Sequence, residues 1–172
     1  MGGGEIARYF GKYGSKGVSK AVIMGGVPPF LLKTNDNPEG VDASVFEGIK
    51  KAVATDRYAF FTEFYKNFYN TDQLLGKRVS EEVVKASWNI AVGASAIASL
   101  ACVPTWHEDF RNDLERVDVP TLVIHGDEDR IVPITAAGAR AAKMIKGARR
   151  HVVKGSRTAS PGRMQRKSTR NC

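Results

Sequence analysis

Three stretches near the C-terminal end restrict most tightly what this chain can fold into: PTLVIHG (120–126), ITAAGARAAKMIKG (134–147) and RRHVVKG (149–155). The first and third are short, β-branched and bounded by Pro or Gly, the composition of strands. The middle one is Ala-rich with apolar residues at helical spacing. Strands alternating with a helix predict a parallel sheet, because a crossover helix returns the chain to the same sheet end. Further upstream VSKAVIMGG (18–26) reads as a buried strand, stopped by Gly-Gly and the prolines of VPPF. GGGEIARYFGKYG before it reads as a glycine-rich turn feeding a short helix that ends at Gly11 or Gly14. The fold class is α/β.

From Leu31 to Arg116 the pattern is helical. DASVFEGIKKAVAT carries apolar residues at helical spacing, with Asp42 or Ser44 available as a cap. DRYAFFTEFYKNFY is an aromatic-rich helix. SEEVVKASWNIAVGASAIASL opens on Ser80, Glu81 and Glu82, a good N-terminal signature, and HEDFRNDLERV is a short amphipathic helix. An insertion of about eighty residues between two sheet strands reads as a cap over their C-terminal ends. The expected organisation is core helix and strand over 1–30, helical cap over 31–116, core over 117–155 and a tail over 156–172.

The net charge of +8 invites a nucleic-acid reading until it is located along the chain. From Ser156 to Cys172 there are five basic residues (Arg157, Arg163, Arg166, Lys167, Arg170) and no acids, which leaves 21 basic against 18 acidic residues elsewhere. That tail has one Met as its sizeable apolar residue and no periodicity, so disorder is expected. It has no aromatic residue for base stacking, which ranks a nucleic-acid-binding adaptor second. No apolar run reaches a membrane span, no leader sequence is visible at MGGGEIARYF, and Cys102 and Cys172 offer neither a disulfide framework nor metal spacing. No membrane partner, no metal and a reducing cytoplasm are the expectations.

VPTLVIHGDEDRIVP resembles the acid-bearing strand and loop of α/β-hydrolases, and SKAVIMGGVPPFLLKT more narrowly resembles the cofactor-free (non-heme) chloroperoxidases and their esterase relatives. The resemblance covers about residues 1 to 155. It implies a partial α/β-hydrolase fold with a helical cap insertion. In that family the nucleophile elbow is G-x-S-M-G-G, a strained turn that exposes the serine oxygen. This chain begins at the methionine of that pattern, so Met1 maps onto the residue whose backbone amide helps form the oxyanion hole, and Gly2 onto the small residue that lets the turn close. The sequence thereby suggests truncation ahead of Met1. The triad carboxylate maps onto Asp129, which would accept a hydrogen bond from the base histidine. Without the resemblance, Asp127 and Asp129 read as turn and capping acids ahead of the following helix; Asp127 keeps that structural role.

The base histidine belongs in a G-x-P-H-G context after the last strand, where the chain reads KGSRTASPGRMQRKSTRNC. His125, His107 and His151 do not fit that context, and each is expected to be a packing or surface histidine. Back-translating from Arg157 and reading one base earlier permits P-H-G-I-T-W-T-H-A-E-K-V-N-P-Q-L, the histidine segment and terminal helix of the family. A frameshift near Gly155–Ser156 is therefore the expected origin of the tail. The implied chemistry is acyl transfer through a serine ester, with no cofactor. Its partners are a small acyl substrate and, in the peroxidase form, hydrogen peroxide; carboxylesterase or lactonase chemistry is the alternative. The aromatic stretch with Trp88 and Trp106 would shape an apolar acyl pocket in such a family, although its spacing also suits plain helix core. Lacking the nucleophile serine and the base histidine, the chain is expected to be inactive and, with VSKAVIMGG uncovered, poorly soluble.

Overall fold

The computed structural model describes residues 1–156. The chain divides into two compact units, Met1–Pro29 together with the residues from Phe110 on, and Phe30–Asp109.

The first unit holds α1 (Gly2–Tyr13), β1 (Ala21–Met24), α6 (Arg111–Leu114), β2 (Thr121–Gly126), α7 (Gly138–Met144) and β3 (Arg149–Val153). The second holds α2 (Ala43–Tyr69), α3 (Thr71–Leu74), α4 (Glu81–Val92), α5 (Ala96–Cys102) and a 3-10 turn at Val103–His107.

The sheet order is β1-β2-β3 and every pairing is parallel, with Ala21 opposite Thr121 and Leu122 opposite Arg149. Alternation along β1 and β2 puts Ile23, Val123 and His125 on one face, where all three are buried. The Cβ position of Gly3 lies against Ile23 and that of Gly138 against His125, so α1 and α7 cover this same face. The opposite face carries Val22 and Met24, 47% and 44% exposed. Burial therefore alternates along β1, with α1 and α7 on its buried side.

The first unit reclaims its share of chain at Phe110 rather than after Arg116. Two glycine notches on α1 explain why. The Phe110 ring sits where a Cβ on Gly4 would be, and the Asp113 carboxylate where a Cβ on Gly11 would be. Arg8, between them on the helix, lies over the Phe110 ring and pairs with Asp113 at 3.4 Å. The Phe110 amide donates to Pro29 O at 2.8 Å, which closes the insertion at its two ends.

In the second unit the two predicted helices DASVFEGIKKAVAT and DRYAFFTEFYKNFY run together as α2, broken at Asp56 (φ −153°, ψ 93°). Asp56 Oδ1 accepts from the amides of Tyr58 and Ala59, so the residue caps the second segment. SEEVVKASWNIAVGASAIASL, read as one helix, is two: α4 ends at Gly93 and Ser95 recaps α5 through the Ala98 amide. Among the described residues no single helix is long and apolar enough to cross a membrane.

Candidate active site

Parallel strands end together, and the residues just beyond their C-terminal ends can converge without any side chain being strained. Here β2 ends at Gly126 and the loop Asp127–Val132 follows at once. Asp129 in that loop is buried, with its residue 7% exposed. Its Oδ1 accepts from the amides of Ile131 at 3.0 Å and Val132 at 2.9 Å. A carboxylate that receives two backbone N–H groups has its rotamer fixed and its charge partly satisfied away from water. Oδ2 lies 3.4 Å from His125 Nε2.

Asp127 takes a different part. Its Oδ1 accepts from the Gly155 amide at 2.8 Å, and the Glu128 amide donates to Ser156 O at 3.0 Å. The chain leaving β3 is therefore stitched to the loop that carries Asp129. Neither acid caps α7, whose N-cap residue Ala137 makes no side-chain cap bond.

Met1 stands at the N-cap of α1, and its carbonyl accepts from the Gly4 amide at 2.7 Å. It is exposed, at the start of a helix that packs beside β1. Of the three histidines, His151 lies on β3 and is exposed, and His107 packs its ring edge-on to Phe46 with centroids 4.3 Å apart. His125 is the buried one, on β2 itself. The sequence identified it as a packing histidine; its approach to Asp129 was not foreseen. The signal was present in the spacing, since a loop that turns back on its own strand can bring the fourth residue onto a strand side chain.

The aromatic residues of the second unit form a ladder along one helix, Phe60–Phe64–Phe68 and Tyr65–Tyr69, with Trp88 Nε1 donating to Thr62 Oγ1 at 3.1 Å. An open, mainly apolar depression on this unit is lined by Val53, Arg57, Tyr58, Ile97 and Leu100. Trp88 stands beside the lining residue Tyr58, and neither Trp88 nor Trp106 is among the lining residues. Burial raises the Tyr65 hydroxyl pKa above its ordinary value, with the neighbouring Tyr69 adding to it.

A family model for the alpha/beta hydrolase fold matches residues 1–158. The chain belongs to the alpha/beta hydrolase fold family. Within that family, this chain is 60% identical over 155 residues to a Synechocystis sp. protein provisionally named a non-heme chloroperoxidase, a match covering 90% of this chain and 56% of that protein. It is 37% identical over 157 residues to the non-heme chloroperoxidase CPO-A1 of Kitasatospora aureofaciens, covering 91% and 57%. The crystal structure of bromoperoxidase from Bacillus anthracis superimposes with a TM-score of 0.85 at 41% identity, covering 92% of this chain and 58% of that one. The chain thus spans a little over half the length of the relatives it matches. The expected frameshifted, basic tail lies outside the described residues.

Proposed function

We propose that this chain carries the acid loop and helical cap of a serine hydrolase of the non-heme chloroperoxidase type. The observation that carries the reading is the buried Asp129 carboxylate at the end of β2, two amides on Oδ1, in a loop bonded to the exit of β3. In this scheme Asp129 orients a base histidine and stabilises its imidazolium. The amide at the Met1 position serves as one oxyanion donor. A serine oxygen takes the acyl group from an ester or acid and loses its proton to the histidine, which hands it to the departing alcohol or water. Hydrogen peroxide then displaces the serine to give a peracid. The peracid passes one oxygen to a halide ion, leaving a carboxylate and a hypohalous acid, so no metal enters the balance. Water in place of peroxide gives simple ester or lactone hydrolysis, the alternative within the same superfamily.

The 172 residues contain neither a G-x-S-M-G-G elbow nor a G-x-P-H-G segment. By themselves they should therefore turn over nothing through a triad. The test assays the 172-residue chain for p-nitrophenyl acetate hydrolysis and for peroxide-dependent bromination. Background rates that Asp129→Asn leaves unchanged are expected. Turnover abolished by Asp129→Asn would place nucleophile and base inside these residues and overturn this assignment of the missing parts. Sequencing the DNA on both sides of the Met1 codon and past the Gly155 codon tests the truncation and the frame change. G-x-S ahead of Met1 and P-H-G in a second frame are expected; a confirmed start and an in-frame tail would defeat them. A cytoplasmic location is proposed on the same footing, from the absence of disulfide or metal spacing between Cys102 and Cys172.

A further inference from the structure

We propose that His125 is a positioning residue for the Asp129 carboxylate, holding it through a closed cluster with Val132. The inference rests on the reading of Asp129 as the triad acid and adds a residue to it. Both side chains are fully enclosed, with 0% of either exposed. His125 Nε2 faces two oxygens, Val132 O at 2.8 Å and Asp129 Oδ2 at 3.4 Å. A carbonyl accepts and an ionised carboxylate accepts, so the arrangement is attractive only with the ring proton on Nε2. That N–H donates to Val132 O and leans toward Oδ2. Val132 in turn gives its amide to Asp129 Oδ1 at 2.9 Å. One peptide residue thereby joins the imidazole to one carboxylate oxygen, while the imidazole approaches the other.

Among the described residues the imidazole's Nδ1 has no hydrogen-bond partner, and it faces Gly138, where an added Cβ would collide with Nδ1, Cγ and Cβ of His125. The first residue of α7 thus leaves room for the imidazole by lacking a Cβ. A core histidine that only filled space would be served equally well by an aromatic ring of similar size. One that only closed the turn through Val132 O would gain nothing from Asp129. Contact with both predicts a different response from each.

The experiment uses NMR on the labelled 172-residue chain, by magic-angle spinning if the protein sediments, with Asp129→Asn, His125→Gln and His125→Phe. Wild type should hold one imidazole tautomer, protonated on Nε2, and Asp129→Asn should displace that proton's resonance. His125→Phe should speed exchange of the Ile131 and Val132 amides about tenfold or more, while β2 and α1 keep their protection. His125→Gln, whose side-chain N–H can reach the Nε2 position, should restore much of it. A proton on Nδ1, or no response to Asp129→Asn, overturns the proposal even if the Phe variant does not fold. Unchanged exchange at Ile131 and Val132, or an even loosening of the whole unit by both substitutions, overturns it equally. Failure of the acid role would appear as unimpaired turnover by Asp129→Asn in a chain that also carries the G-x-S-M-G-G and G-x-P-H-G segments, and would leave these NMR results as they are.

Discussion

Helices α1 and α4 are both twelve residues long, and they differ in what holds them. α1 opens on three glycines and has no side-chain cap, a poor local case for a helix. Yet it buries Gly4, Ala7 and Phe10 and takes Phe110 and Asp113 into its glycine notches. α4 has the better local signals, with Ser80 accepting from the Val83 amide and Glu81 and Glu82 in the first turn. It buries no residue at all, and Ile90 on it is 78% exposed. The second unit still has its own packing, with Phe46, Val53, Val79 and Val103 buried and Trp88 of α4 bonded to Thr62 of α2, but α4 contributes no buried residue to it.

That contrast can be broken by substitution. Phe10→Ala removes a ring that is 1% exposed and should cost about 3–5 kcal/mol in a denaturant or thermal melt. A loss below about 1 kcal/mol would mean that α1 is not packed as described. Ser80→Ala should cost about 1 kcal/mol, concentrated in α4, where amide exchange near Val83 would report it.

A smaller effect follows from Glu82. Its carboxyl is held below the usual carboxylate range, first by its own backbone amide and then by the Ser80 hydroxyl. The folded helix therefore favours the ionised form. Its contribution is present above the unfolded carboxyl's pKa and is lost as pH falls through the lower folded value. An NMR titration should find the Glu82 midpoint rising toward normal in Ser80→Ala; an unmoved midpoint would remove Ser80 from the account. Smallest of all, Ile90→Ala should change stability by no more than about 0.5 kcal/mol. A large loss there would reveal burial of α4 and erase the contrast with α1.

Much of the fold was legible because its signals are local. Gly14, at φ 64°, ends α1 where one of the two glycines was expected to. β2 occupies TLVIHG, and Asp129 follows it in the loop that the family resemblance singled out. The break between α4 and α5 was hidden because apolar residues continue across Gly93 and Ser95, and composition does not distinguish a capped restart from continuation. The place of α6 was hidden too. Nothing near HEDFRNDLERV records that Gly4 and Gly11, some hundred residues earlier, leave room for Phe110 and Asp113.

By itself the sequence determined the α/β class, the strand and loop that carry Asp129, and the caps that begin and end several helices. Each of these is a matter of side-chain period or of a hydrogen bond made within a few residues. Only the tertiary structure decided which face of β1 is buried and which residues α1 would grip. It also decided that His125 would meet Asp129 and Val132. Those outcomes depend on where separate stretches of backbone come together, and on the room a missing Cβ at Gly4, Gly11 or Gly138 leaves for a neighbour.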